Sequence, residues 1–358
     1  MDLRLESCVR KHGGNMPSLV LNSDTLSVRL VSKRLEVLRH DYNEAGNARA
    51  KTEVPLMDID RVVLVGQPSV TVPVLTGLMD SGIPCFFVTR RGRWRGAVCP
   101  DRNLNAARRI RQYEQATDPL FGLRVARRLV YAKIRNCRRV LQRLAANREL
   151  SDTPEQEAVC EELKEFAGRA LDAQTLDSLR GFEGLAAARY FRRLGVFFPQ
   201  ETPFSERSRR PPRDEANSLL SWTYTILLGE VEGAVRTHGL DAAIGCLHQD
   251  TLNTPSLALD LLEPLRPAVA DLLALGMLNH NVIRKEHFRF DIEDGGTYLT
   301  EEGRRPFFQS YEQAMIRRFA PVKGATHTDI RQVIDAQVCT YLRALERGEC
   351  DEDYFLLP

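Results

Sequence analysis

The strongest constraint on the fold of this chain is a single change of hydrophobic period near residues 100 to 105. Before it, short apolar runs are separated by polar or glycine breaks: LSVRLVSKRLEVLR, VPLMDIDRVVLVG and GIPCFFVTRRGRWRGAV. That is a strand pattern. Within it, VTVPVLTGLMDSG places Leu75, Leu78 and Met79 at helical spacing and predicts one short helix ending at Gly82. After the change, long segments rich in Ala, Leu, Arg and Glu follow the helical period, beginning with NAARRIRQYEQA and LRVARRLVYAKIRNCRRVLQRLAA. Further helices are predicted in TLDSLRGFEGLAAARYFRRL, closed by Gly195, in EANSLLSWTYTILLGEVEGAVRTHG and in PSLALDLLEPLRPAVADLLALGML. Two more lie around YEQAMIRRF and IRQVIDAQVCTYLRALERG. The expectation is an α+β chain, with a β-rich domain over 17–103 and a larger all-α domain over 104–358. One small hairpin interrupts the helices at HFRFDIEDGGTYLT, and the Pro-broken loop SERSRRPPRDEAN is expected to cap its helix near Asn217.

With 358 residues, 43% of them hydrophobic, the chain can bury one large core or two ordinary ones, and its length favours two domains. No run is long and apolar enough to span a bilayer, and the charged N-terminus lacks a signal-peptide core. A cytoplasmic protein is expected. Residues 1–16 read as a start-site extension, a linker or a fusion remnant. The eight cysteines include no CxxC pair, which argues against a zinc knuckle, an iron–sulfur cluster or a redox dithiol.

The chemistry points to four groups in or beside apolar, helix-like stretches: Glu183, His248, Asp260 and Glu263. A carboxylate there is costly to desolvate unless a cation or hydrogen bonds compensate. Asp260 and Glu263 lie three apart on a helix that starts at Pro255, so their like charges share neighbouring parts of one face. A divalent cation converts that repulsion into a site. His248 from the preceding loop supplies a further ligand, and Glu183 comes from a separate helix whose Ala186, Ala187 and Ala188 allow another helix to approach. A mostly oxygen set with one imidazole suits Mg²⁺ or Mn²⁺. The competing reading is an exposed acidic face with Asp260 and Glu263 paired to Arg266.

Four phrases carry a resemblance: LRGFEGLAAARYF, RSRRPPRDEANSLLSW, GCLHQDTLNTPSLALDLLEPLRP and LTEEGRRPFFQSYE. From about Pro17 to its end the chain resembles the Cas1 family, the metal-dependent integrases of CRISPR adaptation. The resemblance implies a metal site at Glu183, His248 and Glu263, the last being Asp in some members, with Asp260 as a supporting position. It implies a metal-dependent DNA integrase and endonuclease: a spacer 3′-hydroxyl attacks a phosphodiester at the CRISPR repeat boundary. Implied partners are double-stranded DNA, a second copy of the chain through the β-rich domain, the small protein Cas2, and a Cas4-type nuclease. The alternative is a catalytically impaired DNA-binding scaffold.

Net charge is only +2, yet most of the 50 basic residues are arginine, the side chain suited to bidentate phosphate contact. A GC-rich genome produces the same composition. Arg207, Arg209 and Arg210 before the Pro211–Pro212 break are the first candidates for DNA contact. Arg124, Arg128, Arg135 and Arg139 form a helical stripe that either follows a DNA backbone or faces solvent. Arg90, Arg91, Arg93 and Arg95 around Trp94 read as an exposed turn or a protein contact.

Overall fold

The computed structural model describes residues 18–41, 48–99, 105–151, 153–248, 254–320 and 326–358. Residues 1–16 and the period change at 100–104 lie outside the described residues. Two four-stranded sheets form first. The outer one is built on β2 (Leu26–Val31) and β3 (Arg34–Asp41), an antiparallel pair turned by Ser32 and Lys33, both at positive φ. β4 (Ala48–Pro55) and the two-residue β6 (Ser69–Val70) flank them in the order β4-β3-β2-β6. The inner sheet runs β1 (Ser18–Leu21), β5 (Arg61–Val65), β7 (Cys85–Val88) and β8 (Trp94–Val98). Its first three strands are parallel, and α1 (Val72–Ser81) lies in the crossover from β5 to β7. As predicted, α1 stops at Gly82, which adopts φ 79° and so tolerates the left-handed cap.

Strands buried on both faces read as unbroken apolar runs, and RVVLV in β5 is one. Leu19, Leu21, Val62, Leu64 and Cys85 join a core with Leu26, Val28, Leu35 and Val37 of the outer sheet. Their alternates Val20, Val63, Val65 and Phe86 instead enter the large helical core. The inner sheet thus belongs to both cores.

The helical region comprises α2 (Ala106–Ala116), α3 (Pro119–Ala146), α4 (Pro154–Asp172), α5 (Leu176–Leu194) and α6 (Glu215–Thr237). Then follow α7 (Ser256–Leu262), α8 (Leu272–Asn279), the hairpin β9 (Phe288–Asp291) and β10 (Gly296–Leu299), α9 (Glu301–Ile316) and α10 (Ile330–Arg347). α6 is buried almost all round, as a central helix must be. It meets the inner sheet closely: a Cβ at Gly229 would come within 2.8 Å of the Trp94 ring, and one at Gly233 within 3.0 Å of Phe86.

Four details depart from the sequence reading. α4 was not singled out by apolar periodicity because its buried stripe is Gln156, Cys160, Leu163, Ala167 and Ala170, mostly small or polar. Gly195 does not end α5 in a left-handed turn; its φ is −55° and the chain tightens into a 3₁₀ turn. A Cβ there would lie 2.6 Å from the Phe204 carbonyl oxygen, so packing, not φ, requires the glycine. The cap of α6 is Asp214, whose side chain accepts from the Asn217 N–H. Finally, PSLALDLLEPLRPAVADLLALGML is two helices joined by a π-helical turn over Arg266–Asp271. Pro264 and Pro267 each lack an N–H for the helical ladder.

Candidate metal centre

Three elements deliver the acidic and imidazole groups. Glu183 projects from α5, Glu263 caps the C-terminal end of α7, and His248 lies in the segment that follows α6. Asp260 and Glu263 are both buried, at 0% and 2% exposure, so the exposed acidic face is excluded. Of the three alanines beside Glu183 only Ala186 is buried, and Ala188 is exposed; close helix approach is confined to one position.

Asp260 is consumed by the His248 segment. Its Oδ2 accepts from the backbone N–H of Cys246 at 2.5 Å and of Leu247 at 2.9 Å. Its Oδ1 accepts from the His248 N–H at 3.0 Å and contacts His248 Nδ1 at 2.6 Å. Gly245 makes this wrap possible, since a Cβ there would lie 2.8 Å from Asp260 Oδ2 and 2.9 Å from Ser256. Gln112 of α2 secures the same segment by donating to the carbonyls of Asp241 and Ile244. With Nδ1 engaged by a carboxylate, Nε2 is the imidazole atom turned toward Glu263, 3.9 Å from its Oε1. A carboxylate that binds the far nitrogen fixes the tautomer and orientation of a metal-binding histidine. Asp260 therefore positions His248, and its own oxygens are occupied.

Glu183 and Glu263 meet through a residue the sequence reading passed over. Lys133 of α3 places its ammonium 2.5 Å from Glu183 Oε1 and 2.6 Å from Glu263 Oε2. Burial disfavours the charge on Lys133, but Glu263 and Glu183 outweigh it and raise its pKa. Burial likewise pushes Glu263 up, yet Arg266, Lys133 and His248 together hold it below the ordinary carboxylate range. For His248, burial favours the neutral ring, while the Asp260 hydrogen bond and the Asp260 and Glu263 charges raise it overall. Lys133 was legible only as one lysine in an arginine-rich helix, with no spacing signal toward Glu183 or Glu263.

The donor chemistry suits a hard divalent cation, two carboxylates and an imidazole whose Nε2 turns toward Glu263, but Lys133 stands between the carboxylates and the three groups are not drawn together within 4.8 Å of one another. Glu263 Oε2 is buried and takes no aligned hydrogen bond, its contact being the Lys133 ammonium. The cluster thus already holds one positive charge against its carboxylates.

A second group of side chains adjoins it. Arg266 Nε lies 3.4 Å from Glu263 Oε1, and the guanidiniums of Arg266 and Arg207 sit over the Tyr224 ring at 5.1 and 5.3 Å. The Tyr224 and Tyr190 hydroxyls both donate to Asp271, which burial pushes up to about 6 against those two hydrogen bonds. Tyr190 and Trp222 are core residues.

The arginine expectations divide. Arg207 turns inward, donating to the Ser208 carbonyl, Asn217 Oδ1 and Ser221 Oγ, so its guanidinium braces the loop. Arg209 and Arg210 are exposed. On α3 the stripe is partly engaged within the protein, with Arg124 and Arg128 half-buried and Arg135 and Arg139 exposed. Arg124 donates to the Gly348 carbonyl, Arg128 pairs with Asp353 at 3.1 Å and Arg139 donates to the Pro358 carbonyl. Arg135 lies over Tyr131 and donates to its hydroxyl. Arg91 pairs with Asp291 and Asp294 of the β9–β10 hairpin, a contact within the protein.

The family described as CRISPR associated protein Cas1 matches residues 19–313. The chain is 35% identical over 283 residues to the CRISPR-associated endonuclease Cas1 3 of Thermus thermophilus, covering 79% of this chain and 81% of that protein. In fold it is similar to a casposase bound to its integration product, with TM-score 0.80 and 20% identity over 94% of this chain and 93% of that one. It is also similar to a chain of a Cas6-RT-Cas1–Cas2 complex, with TM-score 0.76 and 24% identity, covering 98% of this chain but 37% of that longer one. Among the described residues, no helix is long and apolar enough to cross a membrane.

Proposed function

The chain belongs to the Cas1 family of CRISPR-associated proteins, and from that membership we propose that it is a metal-dependent DNA integrase and endonuclease that inserts spacer DNA into a CRISPR array. The observation that carries the reading is the lock of Asp260 on His248 Nδ1, which leaves Nε2 facing Glu263 in a buried cluster already balanced by a cation. Glu183, His248 and Glu263 hold Mg²⁺ or Mn²⁺. The ion, when bound, supplies Lewis-acid stabilisation of the negative charge that builds on the attacked phosphate.

The chain's own residues do the rest. Asp260 keeps His248 in the tautomer whose Nε2 lone pair points inward. Arg266 and Lys133 keep Glu263 ionised, and the Tyr224 ring supports the guanidinium of Arg266 beside it. Arg209 and Arg210, exposed on the neighbouring loop, contact the DNA backbone. In the reaction the spacer 3′-hydroxyl gives up its proton to solvent and its oxygen bonds to phosphorus, while the bond to the 3′-oxygen of the flanking strand breaks and that oxygen takes up a proton. Water in place of the 3′-hydroxyl yields nuclease activity at the same site. The chain acts as a homodimer through its sheet region, where Met57 and Val72 expose large apolar side chains, and together with Cas2.

Half-site integration into a supercoiled repeat-bearing plasmid tests the reading, with Mg²⁺, Mn²⁺ or EDTA and with or without the small partner. Glu183→Ala and His248→Ala are expected to abolish strand transfer while duplex binding persists. Full strand transfer in either variant, or in EDTA, would overturn it.

A further inference from the structure

We propose that His238, Asp335 and Cys339 form a second metal site, separate from the cluster around Glu263, that takes a zinc-class transition ion. His238 is the residue on which α6 ends, and Asp335 and Cys339 stand one turn apart on α10. Residues four apart on a helix share a face, so carboxylate and thiol both address the imidazole. The contact is already made on one side: His238 Nε2 lies 2.6 Å from Asp335 Oδ1. One donor atom from each of the three residues lies within 4.8 Å of the other two. Among the described residues this is the group of three His, Cys, Asp or Glu side chains that converges so closely.

Two physical arguments select the ion. Imidazole nitrogen, carboxylate oxygen and thiolate sulfur form a borderline-soft set that suits Zn²⁺ or Co²⁺, whereas Mg²⁺ demands oxygen. The C-terminal end of a long helix also carries partial negative charge, which favours a cation beside His238. Three protein ligands leave the fourth tetrahedral position to solvent, which the half-exposed site permits. Arg108 donates to the His238 carbonyl at 2.6 Å and holds the helix end in place.

The position gives the ion a role. His248 lies ten positions after His238, and this segment carries the imidazole of the proposed catalytic cluster. An ion at His238, Asp335 and Cys339 clips the start of that segment to α10, adding a coordination tether to the hydrogen bonds of Gln112. It acts as a structural clamp rather than as a participant in the reaction.

Cobalt(II) titration of the full-length protein tests this directly, because thiolate ligation produces a near-ultraviolet charge-transfer band that oxygen and nitrogen ligands do not. One equivalent of Co²⁺ is expected to develop the band, and Zn²⁺ to bleach it. Cys339→Ser should remove the band, and His238→Ala and Asp335→Asn should weaken Co²⁺ binding by at least about 100-fold, beyond what outer-shell changes cost. Glu183→Ala and His248→Ala should leave it intact, which separates this site from the catalytic cluster. Circular dichroism confirms that each variant is folded before titration. A wild-type protein without the band, or a band that survives in folded Cys339→Ser, would overturn the assignment.

Discussion

Replacing Lys133 by methionine separates two consequences of one contact. The ammonium lies 2.5 and 2.6 Å from carboxylate oxygens of Glu183 and Glu263, and Glu263 is 2% exposed. Removing one partner of a buried ion pair costs about 3–5 kcal/mol, because the remaining charge is left uncompensated. Arg266 remains at 3.4 Å from Glu263 Oε1 and moderates the loss, so the lower end is expected. A divalent cation has to displace the ammonium in the wild-type protein but enters an unoccupied carboxylate pair in Lys133→Met. Whatever the substitution costs the metal-free protein and the ion restores must appear as tighter metal binding. At about 1.4 kcal/mol per tenfold, full restoration of 3 kcal/mol corresponds to roughly 100-fold. Unfolding in EDTA and in saturating Mn²⁺ measures the first quantity, and Mn²⁺ titration followed by electron paramagnetic resonance measures the second. The variant should be destabilised in EDTA, nearly wild-type in Mn²⁺, and bind Mn²⁺ more tightly while losing integration activity. Equal destabilisation in both conditions, or weaker Mn²⁺ binding, refutes the argument that ammonium and metal compete for one place.

Asp260→Asn turns one acceptor oxygen into a donor facing backbone N–H groups; Mn²⁺ affinity should fall about 10- to 100-fold, measured by the same titration. Gly245→Ala forces a Cβ to within 2.8 Å of Asp260 Oδ2 and should cost about 1–3 kcal/mol in denaturant unfolding, with integration impaired as His248 shifts. Asp271 binds a proton in the fold that the unfolded chain releases, since burial raises it from 3.8 to about 6. Its stabilising contribution is therefore complete below pH 4 and lost as pH rises to 6, about 3 kcal/mol in all, and Asp271→Asn should flatten that part of the stability profile. Alanine at both Arg209 and Arg210 should reduce the salt slope of duplex affinity by about 2, while Arg207→Ala should act mainly on stability, because its guanidinium is spent within the loop.

Much of this protein is legible in its sequence because periodicity is a local property. The switch from short apolar runs to the helical period predicts a sheet region followed by helices, and Gly82 and Gly295, both at positive φ, mark a helix end and a hairpin through their backbone freedom. Candidate ligands also announce themselves, since Glu183, His248, Asp260 and Glu263 are costly groups in apolar phrases. The family resemblance carried by those phrases reaches further than periodicity does. What stayed hidden depends on which elements meet. Lys133 has no spacing relation to Glu183 or Glu263, and only the packing of α3 against α5 and α7 sets its ammonium between them. Asp260 and Glu263 are alike as neighbouring carboxylates on one helix, yet the former wraps the His248 segment while the latter faces the cluster. The arginines on α3 share one spacing in the sequence, yet Arg124, Arg128 and Arg139 meet the Gly348 and Pro358 carbonyls and Asp353, contacts that no helical period announces. A sequence specifies the chemistry each residue can offer; partners distant along the chain decide whether that chemistry is spent inside the protein or left for a ligand, because burial and competing hydrogen bonds arise only on tertiary packing.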